Sequence, residues 1–265
     1  VRRWNSAGIF FKLCSRRGDY RHGDCKYFSR YFISDSWSGN RDFVINFTIL
    51  WPEDAGAPGT IQAQFTWNQL MNAVEELIDE KILDLVRRDA IATLQKLQSS
   101  VRDYQQAICN LRMDPNNEQY KADVRREFND AEDQAKFAII DLKKQGYEIP
   151  LLASYAQAAN IHLLLLRDVI RNGISWGFSP LEVQQYYNNN SSVGNPGMLQ
   201  LLEQYTDYCV NWYNTGVSKL RIGIHLGSYT GEKFNRHNDF ERDMTILVLD
   251  LVAVWQLIIQ GIMMV

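Results

Sequence analysis

The sequence predicts an all-α protein in which amphipathic helices enclose one apolar helix, and three features carry that prediction. From Trp67 onward, apolar residues recur in long blocks at three-four spacing, the period of a helix with one buried face. Ile149 to Leu166 then passes eighteen residues without an ionised side chain. Apolar and small residues occur all round that helix, so other helices or lipid must surround it. Finally, only a very short turn separates the segment 118–145 from 149–172, which makes the pair an antiparallel hairpin.

Residues 1–63 lack this regularity. They interleave aromatics (Trp4, Phe10, Phe11, Tyr20, Tyr27, Phe28) with Arg and Gly and show no sustained period. Phe43–Leu50 reads as a strand and Pro52–Gly59 as a loop. We therefore divide the chain into 1–63, of uncertain fold, and 64–265, a helical bundle domain. Aromatic–basic interleaving can mark nucleic-acid binding. Here the clusters are short, no recognised motif accompanies them, and the net charge is −3, so no nucleic-acid partner is expected. Val1-Arg-Arg-Trp leads into no apolar core, so no secretory signal is expected there. Cys14, Cys25, Cys109 and Cys209 make no CxxC pair and no metal-ligand spacing. A Cys14–Cys25 bridge and four plain thiols both remain open.

The helical elements follow in order. Leu70, Val74, Leu77, Ile78, Ile82 and Leu85 form one apolar face, with a short break at 81–83. The face resumes as Leu94, Leu97, Val101, Tyr104, Ile108 and Leu111. Asp114-Pro115 ends it, because proline cannot continue the hydrogen-bond ladder. Helix 118–145 buries Val124, Phe128, Ala131, Ala135, Ala138, Ile139 and Leu142, with Gly146 as its C-cap. Helix 149–172 ends at Gly173. Ser179, Pro180 and Glu182 read as an N-cap with proline at the first helical position. Residues 180–221 are helical with a break in the polar stretch 188–197. Their core set is Leu202, Tyr205, Cys209, Trp212, Tyr213, Gly216 and Leu220. A last helix begins at Phe240 and buries Met244, Leu247, Val248, Leu251 and Trp255. Met244–Val265 carries one charge, Asp250, and reads as a buried bundle helix before a weak membrane anchor.

Catalytic signatures are missing: no GxSxG, P-loop, HExxH or GxGxxG occurs. The four histidines are scattered, and His162 reads as a hydrogen-bonded core residue. No enzymatic activity, cofactor or metal is expected. One pattern does suggest chemistry. Asp123, Glu127, Asp130, Gln134 and Asp141 fall at steps of four, three, four and seven, forming one acidic stripe opposite the apolar face. It is either a solvated outer face or the lining of an aqueous lumen, and a lumen lined by carboxylates favours cations. In the second case helix 149–168 meets lipid, although Gln157, Asn160 and His162 are residues that an ordinary membrane anchor avoids.

Three strings resemble a known family. Residues 157–168, QAANIHLLLLRD, resemble the first signature block of the three-domain insecticidal crystal (Cry) delta-endotoxins. Residues 205–220, YTDYCVNWYNTGVSKL, are similar to that family's sixth helix, and 238–254, NDFERDMTILVLDLVAV, to its second block. The resemblance runs from about Trp67 to Ala253. It implies the N-terminal domain of the toxin, an antiparallel bundle of about six to seven long amphipathic helices around a central hydrophobic helix. It also implies insertion of a hairpin, about 118–172, into the midgut epithelial membrane of an insect. The stripe Asp123, Glu127, Asp130, Gln134 and Asp141 would line the channel. The central helix would contribute Leu151, Leu152, Tyr155, Asn160, His162, Leu164, Leu166 and Arg167. The implied partners are target-cell membrane lipid, further copies of the chain in the membrane, and a midgut receptor recognised by domains outside this chain. The implied location is a parasporal crystal in the producing bacterium, then the extracellular space and the target-cell membrane. Two departures stand out. Glu241 replaces the first arginine of the usual R-R-E, and after Ala253 the usual L-F-P-x-Y-D gives way to VWQLIIQGIMMV. The contrasting reading is a helical scaffold or interaction domain that stays in water.

Overall fold

A computed structural model describes residues 71–72, 74–75, 81–188, 196–225 and 231–263, all within a compact unit that runs from Glu53 to Val265. The strand and loop expected at 43–59, and the possible Cys14–Cys25 bridge, lie outside the described residues. The described elements are α1 (Asp84–Met113), α2 (Glu118–Asp141), α3 (Leu152–Asn172), α4 (Pro180–Tyr187), α5 (Met198–His225), α6 (Gly231–Met244) and α7 (Asp250–Met263). A π-helical turn, Thr245–Leu249, joins α6 to α7. Among the described residues the fold is the expected all-α bundle, with α3 at its centre. Around α3 pack α2, α4, α5, the π turn and α7, while α1 packs along α2.

Local sequence explains the helix boundaries. The break at 81–83 is present, and α1 restarts the helical phase after it. Its buried set then includes every apolar residue expected from Leu94 to Leu111. Leu85 is the exception: it was expected to face the core and is 62% exposed. Nine residues separate it from Leu94, which is two and a half turns and hence the opposite face. The side chain of Asn117 caps α2 by accepting from the N–H groups of Gln119 (3.0 Å) and Tyr120 (3.3 Å). These two amides have no partner within the helix.

The far end of α2 departs from expectation. The helix stops at Asp141, and Gly146, expected to cap it, sits in the following turn at φ +83°. There its N–H donates to Glu148 Oε2 (2.9 Å), and the left-handed conformation that glycine tolerates reverses the chain. Ile149–Leu151 complete that turn, so α3 starts three residues later than its apolar run. At α4 the expected cap is a full capping box: Ser179 Oγ accepts from Glu182 N–H (3.2 Å), and Glu182 Oε2 accepts from Ser179 N–H (2.7 Å).

Helix α5 buries Leu202, Tyr205, Cys209 and Gly216, whereas Trp212, Tyr213 and Leu220 are half-buried. The helix packs on α3 and on α6, so no single face stays covered along its whole length. Gly216 is where α6 comes closest, and a Cβ there would run into the Phe240 ring. The last helical stretch begins at Gly231, nine residues before the expected start at Phe240. Phe240, Met244, Val248, Leu251 and Trp255 are buried as expected, and Leu247 is half-buried. Because interiors are close-packed, Gly216→Ala should overfill the α5–α6 contact and cost about 1–3 kcal/mol. We expect a lower midpoint in thermal unfolding followed by circular dichroism; an unchanged midpoint would mean that Phe240 can move aside freely.

Candidate membrane-inserting hairpin

Helix α3 is enclosed. Fifteen of its twenty-one residues are buried, including Leu152, Tyr155, Asn160, His162 and Leu166. Leu151, also buried, is the N-cap residue and lies outside the helix. Leu164 and Arg167 are half-buried. The helical part of the uncharged run is Leu152–Leu166, fifteen residues. At 1.5 Å per residue it is about 22 Å long, short of the roughly 30 Å hydrocarbon core of a bilayer. No described helix is long and apolar enough to cross a membrane. For α3 the physical reason is Gln157, Asn160 and His162, together with the late helix start and the charges at Arg167 and Asp168.

Three buried polar residues of α3, Asn160, His162 and Asp168, bond to α7, α5 and α1 respectively, whereas Ser154 Oγ and Tyr155 Oη are buried without a hydrogen-bond partner. His162 Nδ1 lies 2.7 Å from Tyr205 Oη on α5, and His162 Nε2 lies 3.6 Å from Glu132 Oε1 on α2. Burial, reinforced by the charge of Glu132, keeps the Tyr205 hydroxyl protonated. Tyr205 can therefore donate to Nδ1, leaving an Nε2 proton facing Glu132. Asn160 Oδ1 accepts from Trp255 Nε1 on α7 (3.1 Å). Asp168 Oδ2 accepts from Tyr104 Oη on α1 (3.3 Å), and Arg167 Nη2 is 3.7 Å from Asp168 Oδ1. Burial, with the Asp168 charge adding to it, raises the Tyr104 hydroxyl well above its ordinary value. The Tyr155 and Tyr208 ring centroids are 4.2 Å apart with the planes tilted by 39°, and Lys143 Nζ lies over both rings at 5.5 and 5.0 Å.

The acidic stripe is not opposite the apolar face of α2. At roughly 100° per residue, its centre falls roughly 100° from the centre of the buried face. Asp123, Glu127, Gln134 and Asp141 are half-buried, and Asp130 is exposed. Asp141 Oδ2 accepts from Thr93 Oγ1 on α1 (2.6 Å), so this flank borders the α1 seam. Arg126 pairs with Asp123 (3.1 Å) and Glu127 (2.7 Å). The opposite face carries Arg126, Asn129, Asp133, Phe137 and Ile140, all exposed. The other flank is basic: Arg125 donates to the Trp176 carbonyl, and Lys136 pairs with Glu132 (2.6 Å) and Asp133 (2.8 Å). An expectation of one polar face thus resolves into an acidic flank, a basic flank and an outer face with two apolar residues.

Sequence reasoning missed Glu132 and the roles of Tyr104, Tyr205 and Trp255 as partners of α3. A signal for Glu132 existed. It lies four residues after Phe128 and three before Ala135, which puts a carboxylate on the edge of a buried stripe.

A sheath of helices around one enclosed apolar helix, with a hairpin partner of mixed charge, defines a class: all-α bundles built around a buried central helix. Residues 55–258 match the family model described as delta endotoxin, N-terminal domain. The chain is 38% identical over 218 residues to pesticidal crystal protein Cry7Aa of Bacillus thuringiensis, covering 80% of this chain and 17% of that protein. It is also 38% identical over 208 residues to Cry8Ca of the japonensis subspecies, covering 78% and 16% respectively. Among solved structures, the Bacillus thuringiensis insecticidal crystal protein Cry7Ca1 superposes with a TM-score of 0.68 at 31% identity, over 80% of this chain and 33% of that one. This chain therefore belongs to the delta-endotoxin N-terminal domain family. It spans about a sixth of the length of the curated relatives it matches.

The two described thiols offer a readout of opening. Cys109 is exposed, whereas Cys209 is buried at the α3 contact of α5, and burial pushes its thiol up to about 12 despite the opposing charge of Lys143. At pH 8 we expect a maleimide to label Cys109 promptly and Cys209 only as α5 separates from α3. Equal labelling rates in the intact fold would contradict this packing.

Proposed function

We propose that the chain supplies the pore-forming module of an insecticidal crystal protein, acting on the midgut epithelial membrane of an insect. The α2–α3 hairpin leaves the bundle and enters lipid. The observation that carries this reading is the enclosure of α3, whose apolar surface moves from one dry environment to another at little cost. The barrier lies in parting helices packed at crystal-like density. Glu132 and His162 belong to the same hairpin, so their contact travels with it. Asn160, His162 and Gln157 then need polar partners inside the membrane, and a single hairpin offers few. Several copies arranged around water provide them, which is the physical case for a homo-oligomer.

In that assembly Asp123, Glu127, Asp130, Gln134 and Asp141 turn toward the lumen, and the channel favours cations. Leu151, Leu152, Tyr155, Leu164 and Leu166 face lipid or neighbouring helices, with Arg167 near a headgroup layer. Receptor recognition belongs to other domains of such a protein, and the producing cell stores it in a parasporal crystal. No catalytic step is part of the proposal. The shortness of the uncharged helical run favours one competing reading, a helical scaffold that stays in water.

Dye release from loaded liposomes separates the two, since only a pore former leaks contents. A cross-link tests the hairpin itself. In Thr93→Cys/Asp141→Cys, a disulfide or short bis-thiol linker ties α1 to α2, and we expect release to stop until the link is cut. Equal release in linked and unlinked protein would refute hairpin departure. Asp130→Asn should lower cation preference in planar-bilayer recordings, and an unchanged reversal potential would remove the stripe from the lumen.

A further inference from the structure

We infer that Trp255 of α7 is a positioning residue that holds the hairpin in the bundle and sets how readily it leaves, an inference that rests on the hairpin-release reading above. Trp255 is fully buried, and its neighbours on the same helix face, Leu251 and Ile258, are buried with it. Its indole N–H donates to Asn160 Oδ1 at the middle of α3 (3.1 Å). Its ring also meets the Tyr205 ring edge-on, with centroids 6.4 Å apart and planes at 69°. Tyr205 in turn holds His162 Nδ1 at 2.7 Å. The two polar side chains at the centre of α3 are thus gripped by one aromatic pair, contributed by α5 and α7.

This clasp differs from the contacts that travel with the hairpin. Glu132 and His162 both lie within α2–α3, so their approach survives departure. The Asn160–Trp255 and His162–Tyr205 bonds join the hairpin to helices left behind, and both must break. Once the indole has gone, the Asn160 amide is a polar group in a dry site without its donor, which makes the parting steeper than loss of apolar contact alone. Trp255 also sits where this sequence departs from the usual family string after Ala253.

The test uses the full chain and five proteins: wild type, Trp255→Phe, Asn160→Leu, the double variant, and Phe240→Leu as a core truncation away from the clasp. Amide exchange along α3 is measured in water, and the initial rate of calcein release is measured from phosphatidylcholine–phosphatidylglycerol vesicles. Losing one hydrogen bond predicts that Trp255→Phe speeds both by about two- to tenfold. The double variant should be no faster than the faster single variant, because both remove the same bond. Phe240→Leu should lower the melting point without speeding α3 exchange to the same degree. If Trp255→Phe does not fold, Asn160→Leu carries the same expectation for α3 exchange. Unchanged α3 exchange, additive single effects, or an equal response to Phe240→Leu would each overturn the clasp. Faster α3 exchange with no dye release from any protein would support the clasp and sink the pore reading.

Discussion

The structure depends on keeping one helix out of water. α3 is apolar on every side, so no single neighbour can cover it, and α2, α4, α5 and α7 each take a part of its circumference. That demand explains the other helices. α2 packs against both α1 and α3, α7 against α3 and α5, and α5 shows mixed burial because it serves both α3 and α6. The enclosure also explains why polar atoms on α3 are expensive. Asn160, His162 and Asp168 are buried, and each has a named partner on a different helix. Polar groups in a dry site that keep their partners fix register and orientation in a way that apolar contact cannot.

The same constraint connects fold to function. A helix sheathed only by apolar contact would slide or rotate, and one pinned by many ion pairs would not leave. α3 has an intermediate design: a dry surface that lipid can replace, crossed by a few hydrogen bonds to α1, α5 and α7. The Glu132–His162 contact lies inside the hairpin that the proposal moves, whereas the Tyr104–Asp168 bond joins α3 to α1 and must break. α2 is equally two-sided, since Asp141 anchors it to α1 through Thr93 while its basic flank holds the α3–α4 side.

Much of this was legible in the residues. Three-four spacing fixed the buried faces of α1 and α2 almost residue by residue, because each keeps one continuous buried stripe along its length. The capping box at Ser179 and the stop at Asp114-Pro115 were readable because they are local chemistry. The misses have a common cause, which is that they depend on partners distant in sequence. The acidic stripe was placed opposite the apolar face, yet it borders α1, and Asp141 could not be assigned to Thr93 without knowing how α1 lies. Leu85 was placed in the core by a period that the break at 81–83 resets. The end of α2 was set at Gly146, where a glycine serves the turn and leaves the helix uncapped by it. The partners of α3, Tyr104, Glu132, Tyr205 and Trp255, come from four helices, and no spacing rule brings them together.

The central claim is that α2 and α3 move as a unit away from the rest of the bundle. Spin labels at Asn129 on α2, Leu164 on α3 and Asp207 on α5 test it by electron–electron distance measurement before and after vesicles are added. The account predicts that the 129–164 distance stays fixed while the 164–207 distance lengthens. A constant 164–207 distance in protein that has bound vesicles and released their contents would contradict it.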